Sequence, residues 1–443
     1  MRWEGGIAEI IGLNIVIGKN LVVHAKRFSS PLRPHLRVNK IKPQTQVSRS
    51  NPPSPHCRVL LMIASLDGGG SERQTLLLLK HLSRERFSLD LFLLRRGGSL
   101  YEQIPSDVTV HCFEDSAPRF RIGWPGRIHR AQVAAVRRVL VDRKIDVVYD
   151  RTFHMTLIAG PAAASARVPR VSTIVSPPSH AVPQNAGRFL AIKKRQLADA
   201  YAKAAQVIAV SGPAAADARR FYGLKPKQVI AIPNPVDVAA IDAAVASCQS
   251  PARDGRYTIV CVGRMTQEKG HECLIKAIAC LRERYPNFPR PRVWLVGDGP
   301  LRHELEAKTK TLGLLDAIEF IGHVSNPAPW IAAADALCLP STFEGFPNVM
   351  LEAMALGTPV IASDIDVVRS LGRVAHGSED RGRDYVAIYR NQDPAELARK
   401  IRRLRINPTA TLSRINAARN LARRALAIEM IVPRIEATIL GAK

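Results

Sequence analysis

Acidic residues are scarce in this chain of 443 residues: 38 Asp and Glu stand against 64 Lys and Arg, a formal net charge of +26. That imbalance draws the protein to polyanions: an anionic membrane surface, an acidic substrate or nucleic acid. High arginine usage plus a basic tail would give the same charge with no partner at all. Nucleic-acid signatures are missing, with no C₂H₂ spacing, no aromatic-rich RNP-like strand and no P-loop. No nucleic-acid partner is therefore expected. No uncharged apolar run reaches about 18 residues, so no transmembrane helix is expected. The seven cysteines (Cys57, Cys112, Cys248, Cys261, Cys273, Cys280 and Cys338) are scattered, odd in number and free of any C-x-x-C pair. This excludes a disulfide framework and a zinc site, and reads as reduced thiols in a cytoplasmic protein.

What is present is long enough for two or three domains, with an ordinary hydrophobic fraction of 46%. Residues 1–56 differ from the rest. The apolar stretch 7–23 is broken by Glu9, Asn14 and Lys19, and a run of Lys and Arg among prolines and serines follows. It makes a poor secretory signal and reads as a basic, disordered extension or an overlong translation start. From residue 59 onward strand-like and helical periods alternate. Strands are expected at 59–65, 89–94, 108–113, 146–149, 171–175, 207–210 and 229–232. Helices fit at 72–82, 127–142, 155–166, 192–204 and 213–221. Ser71 with Gln74 suggests a capping box for the first helix.

Pro233-Asn234-Pro235-Val236-Asp237 breaks the series. A second series has strands at 258–262, 293–296, 319–321, 336–339 and 360–362. Its helices fall at 272–284, 301–312, 327–334, 348–356 and 394–404. Alternation of this kind predicts parallel sheets covered on both faces. The expected organisation is α/β: a Rossmann-like domain over 57–236, a second over 237–424, and a C-terminal helix within 425–443 packing back on the first. The crevice between the domains, at the strands' carboxyl ends, is the expected ligand site.

The densest signal is Glu344-Gly345-Phe346-Pro347-Asn348-Val349-Met350-Leu351-Glu352. Pro347 suits a first helical position, and the following residues are almost wholly apolar. Glu352 is the lone charge in that helix, costly to bury unless donors such as sugar hydroxyls meet it. A buried acid held by a protein partner would look the same. Gly263-Arg264-Met265-Thr266-Gln267-Glu268-Lys269-Gly270 follows the strand at 258–262 and sets two cations on one loop, as a pyrophosphate requires. Two solvated surface cations are the plainer alternative. Gly297-Asp298-Gly299 follows the next strand and is also an ordinary turn. Gly68-Gly69-Gly70 precedes a helix start, which favours an approaching anion.

In their order these motifs closely resemble the large retaining glycosyltransferase family 4, which has the two-domain GT-B fold. The resemblance spans about residues 59–404. It implies a hexosyltransferase-type enzyme that moves a sugar from a nucleotide-diphosphate donor, UDP- or GDP-linked, to an acceptor hydroxyl. Glu344 would contact the donor sugar and Glu352 the ribose. Gly263, Arg264 and Lys269 would hold the diphosphate. Gly69, Gly70, Gly297, His323, Val324, Gly345, Phe346, Pro347 and Asn348 would complete the donor site. No cofactor or metal is required, since cations take the metal's place and no Asp-x-Asp motif sits in this site. The family often carries a histidine where this chain has Val175; His154 and His180 are the nearby substitutes, His154 the better placed. The acceptor would be lipid-linked, a glycan or a small molecule, in cell-surface polysaccharide or glycolipid synthesis. The excess charge, including Arg119-Phe120-Arg121-Ile122-Gly123-Trp124, fits a peripheral enzyme on the cytoplasmic face of an anionic membrane. A GT-B sugar-nucleotide epimerase and a non-catalytic membrane- or polyanion-binding homologue are the alternatives.

Overall fold

The computed structural model describes residues 57–116, 126–186, 189–372 and 382–443. The expected extension 1–56 and the stretch 119–124 lie outside them.

Seven strands form the first sheet: β1 (Cys57–Ile63), β2 (Phe87–Leu93), β3 (Thr109–Cys112), β4 (Val147–Arg151), β5 (Arg170–Ile174), β6 (Gln206–Ala209) and β7 (Val229–Ala231). Their order is β3-β2-β1-β4-β5-β6-β7, and every pairing is parallel. The second sheet contains β8 (Thr258–Val262), β9 (Arg292–Val296), β10 (Ile318–Gly322), β11 (Ala336–Leu339), β12 (Val360–Ser363) and β13 (Ala387–Tyr389). Its order is β10-β9-β8-β11-β12-β13, again parallel throughout. Such strands are covered on both faces, which is why they read as continuous apolar runs.

Around the first sheet lie α1 (Gly70–His81), α2 (Arg127–Asp142), α3 (Phe153–Ala166), α4 (Pro178–Ala186), α5 (Leu190–Ala202) and α6 (Gly212–Tyr222). Around the second lie α7 (Val238–Ser247), α8 (His271–Arg284), α9 (Arg302–Thr311), α10 (Ala328–Ala333), α11 (Asn348–Leu356), α12 (Pro394–Ile406) and α13 (Pro408–Asn420). The last helix, α14 (Ile428–Ala442), returns to the first sheet. Ile431, Val432, Ile435 and Ile439 enter the same core as Val59, Leu61 and Leu79. Burying each such side chain contributes roughly 1.5–3 kcal/mol. Glu436, also buried, accepts the Ser83 N–H at 2.8 Å and Arg86 at 2.9 Å.

Two local expectations need correction. The cap of α1 is Gly69, whose N–H donates to Glu72 Oε2 at 2.5 Å. Ser71 and Gln74 are already inside the helix, because the turn of glycines lets it start earlier. Pro347 is not the first helical residue of α11. It stands just outside, with φ −74° and ψ 110°.

Each sheet reverses its strand order once, between β1 and β4 and between β8 and β11. The loops leaving those four strands therefore diverge and open a crevice.

Candidate functional site

The four divergent loops carry most of the expected site. Gly69 and Gly70 follow β1, and His154 follows β4. Gly263, Arg264 and Lys269 follow β8, and Glu344 to Asn348 follow β11. Backbone hydrogen bonds stitch the loops after β8, β9 and β10 together. The Gly263 N–H donates to Val296 O at 2.9 Å, Met265 N–H to Asp298 O at 2.8 Å, and Gly297 N–H to Gly322 O at 2.8 Å. Gly297 has φ +135°, and a Cβ there would stand 2.1 Å from Gly263 O. Only glycine fits.

Lys269 and Glu344 form the charged centre. Lys269 Nζ donates to Glu344 Oε1 at 2.6 Å, and Ser341 Oγ donates to the same oxygen at 2.8 Å. Burial pulls the Lys269 ammonium down, but the Glu344 charge and hydrogen bond outweigh it and hold the group above its usual value. Lys269 is thus a fixed cation at neutral pH. Arg264 is not part of this centre. Its side chain is exposed and makes no ion pair among the described residues.

On the other side of α11 lies Glu352. Its Oε2 is buried with no hydrogen-bond partner. Burial raises its pKa, and Arg73 only partly offsets this. It lines a cavity of about 210 Å³ together with Arg73, Asn348, Ser325 and Asn326. An orphaned carboxylate oxygen of this kind fits hydroxyl donors from a ligand. His323 stands beside the first glycine loop, its ring 3.4 Å from where a Gly68 Cβ would be. Val324 packs against the core of the second half, and Phe346 is part of that core at 4% exposure. Pro347 is buried as well. The side chains of Phe346 and Pro347 are therefore structural, and they can offer a donor only their backbone.

The two halves meet through a polar relay that the sequence did not announce. Arg151 Nη2 donates to Asn234 Oδ1 at 2.7 Å. Asn234 Nδ2 donates to Asn348 Oδ1 at 2.8 Å and Phe346 O at 3.2 Å. Asn348 Nδ2 in turn donates to Gly70 O at 3.0 Å. Arg151 is 3% exposed, and its Nε has no partner. A cation ending an apolar strand was the only hint in the sequence. His271, buried at the start of α8, was also missed. Neither ring nitrogen is hydrogen-bonded, and burial, with Lys269 nearby, pushes its pKa down to about 4.

A second cavity, about 270 Å³, lies where the halves face each other. Lys269, Glu344 and Phe343 line it from one side, and Thr152, His154 and Val175 from the other. His154 therefore shares a cavity with the charged pair. Burial, with Lys193 nearby, lowers its pKa and keeps the imidazole neutral. His180 instead stacks on Phe343, ring centroids 4.9 Å apart. Thr152 adopts φ +79°, a strained conformation for a β-branched residue. It turns the chain from β4 into α3 and so presents His154.

This layout can be compared with known proteins. Residues 68–240 match the family described as Glycosyltransferase Family 4, and residues 256–407 match Glycosyl transferases group 1. The chain belongs to the family 4, group 1 glycosyltransferases. Among the curated relatives of this chain is a lipopolysaccharide core biosynthesis glycosyltransferase of Rhizobium meliloti. It is 37% identical over 118 residues, 27% of this chain and 32% of the relative. A D-inositol 3-phosphate glycosyltransferase of Jonesia denitrificans is 31% identical over 177 residues, 37% of this chain and 42% of the relative. The matches thus span less than half of these relatives. The crystal structure of Anabaena HepE in complex with UDP and glucose superposes with a TM-score of 0.69 at 23% identity, covering 87% of this chain and all of that one. Sucrose-phosphate synthase from Thermosynechococcus elongatus gives 0.68 at 19% identity, with the same coverage. These likenesses establish the GT-B fold. Among the described residues, no helix is long and apolar enough to cross a membrane.

Proposed function

We propose that this protein is a retaining, hexosyltransferase-type glycosyltransferase that uses a nucleotide-diphosphate sugar. The observation that carries the reading is α11. Its N-terminal approach holds Glu344 on Lys269, and one helical turn beyond Asn348 it holds the unpartnered Glu352. Hydroxyls of the donor ribose would satisfy Glu352. As the glycosidic bond breaks, negative charge grows on the diphosphate. Lys269 and the free N–H groups at the start of α11 would stabilise it, with exposed Arg264 able to swing onto the outer oxygens. Glu344 would bind the donor sugar's hydroxyls and keep Lys269 placed. Neither carboxylate need act as a covalent nucleophile. His154 stands on the acceptor side, neutral and able to accept a proton from an incoming hydroxyl.

The donor is UDP- or GDP-linked; the UDP in the Anabaena structure supports the first. The lipopolysaccharide name among the relatives supports a role in cell-surface polysaccharide or glycolipid synthesis at the cytoplasmic side. A panel of nucleotide sugars screened by thermal shift tests the reading. One donor should raise the melting temperature by mass action and be slowly hydrolysed. A panel in which none does either would overturn it.

A further inference from the structure

Charge and exposed apolar surface coincide on one face of the first half. Eight large apolar side chains are strongly exposed among the described residues, and four of them, Ile128, Val141, Phe189 and Ile192, lie on α2, on α5 or directly before α5. The other four, Leu315, Ile406, Leu412 and Met430, are spread over separate elements of the chain's second part. α2 and α5 both pack against α3, which runs between them.

The same two helices expose Arg130, Arg137, Arg138 and Arg195, none of which makes an ion pair among the described residues. Asp142 and Asp199 are the only acids on α2 and α5. The charge is unevenly divided along the sequence: residues 57–236 carry 27 Lys and Arg against 13 Asp and Glu, whereas residues 237–443 carry 28 against 23. Over α3 the face holds an open groove of about 380 Å³, floored by Gly160, Pro161 and Ala164 and edged by Lys203 of the α5 end.

We propose that the α2–α3–α5 face docks on an anionic bilayer. Unpaired guanidinium groups would meet lipid phosphates, and each basic residue near the surface adds on the order of 1 kcal/mol. The exposed aliphatic and aromatic side chains would enter the headgroup boundary, which a solvated charged face has no use for. A nucleic-acid partner would instead call for stacking aromatics and base-edge donors, and of the four exposed apolar side chains only Phe189 is aromatic. The face also sits sensibly for the reaction. α3 carries His154 near its start, in the cleft cavity, and the groove floor lies further along, roughly 9–15 Å away at 1.5 Å per residue. Docking would bring the acceptor side of the cleft to the lipid surface. This last point rests on the transferase reading; the docking itself does not.

Flotation of the full-length protein with phosphatidylglycerol-containing and pure phosphatidylcholine vesicles tests it. The wild type should float only with the anionic vesicles, and high salt should release it, since attraction is screened within about 8 Å at physiological ionic strength. Arg137→Glu/Arg138→Glu should reduce anionic binding by about tenfold or more. The equal charge change Arg284→Glu/Arg403→Glu, on the second half, should leave it nearly unchanged. Ile192→Ser should weaken binding and make the remainder more salt-sensitive. Equal losses from both charge pairs would overturn the assignment, as would binding of a duplex oligonucleotide with no flotation at low salt. Donor hydrolysis in solution should be the same in all these variants, so a failed docking face and a failed transferase reading give different results.

Discussion

At the residue scale the site turns on two half-buried charges with opposite circumstances. Lys269 is paired; Glu352 is not. Lys269→Ala should leave the protein folded and lower turnover at saturating donor by roughly 2–4 kcal/mol of transition-state stabilisation. Steady-state kinetics with circular dichroism as a fold check measures this, and wild-type turnover would remove Lys269 from the diphosphate. Glu352 makes a less intuitive prediction. Its folded pKa lies above the ordinary 4.5 because of burial. The native state then binds more protons than the unfolded state, so its ionisation costs stability as pH rises through and above 4.5. Glu352→Gln should therefore raise the melting temperature of the ligand-free protein at neutral pH, with the gain fading below pH 4.5. The same variant should bind donor roughly tenfold or more weakly, since a charge-assisted hydrogen bond is lost. A variant with unchanged donor affinity would make Glu352 structural.

At the element scale the closed approach of the halves depends on having no side chain at Gly345. A Cβ there would stand 1.9 Å from Val175 O and 2.7 Å from its carbonyl carbon. Gly345→Ala should push the halves apart. Donor binding to the second half should largely survive while turnover falls by about tenfold or more, because a misplacement of about 1 Å can cost that much. Calorimetry for donor affinity beside kcat separates the two. A variant with normal kcat would show that catalysis does not need this contact.

Much of this scale was legible beforehand. β1, β8 and β11 announce themselves as apolar runs, and α2, α8 and α12 as periodic ones. α7 did not, because Val238-Ala239-Ala240-Ile241-Asp242-Ala243-Ala244 offers small residues and little contrast between faces. β13 has three residues, too few for any period. In the site, the spacing of Lys269, Glu344 and Glu352 was readable because each is a charge in an apolar or glycine-rich setting. The Arg151–Asn234–Asn348 relay was not, since it joins residues 83 and 114 positions apart that only the fold brings together. The burial of the Phe346 side chain was not legible either, since its place in the core depends on how α11 packs.

At the scale of the whole molecule, two doubly wound sheets turn their divergent loops toward each other, and a last helix ties the chain's end back to the first sheet. In the proposed reaction that arrangement would let one half hold a nucleotide sugar while the other presents the nucleophile. The central claim is transfer with retention at this cleft, and it can be tested without knowing the acceptor, because water can take the acceptor's place. An α-linked nucleotide sugar selected by thermal shift would be incubated with the protein, and the first-formed free sugar followed by proton NMR before it mutarotates. The account predicts release of the nucleoside diphosphate with the α-anomer appearing first, and loss of both signals in Lys269→Ala. A β-anomer formed first, or turnover that survives Lys269→Ala unchanged, would contradict it.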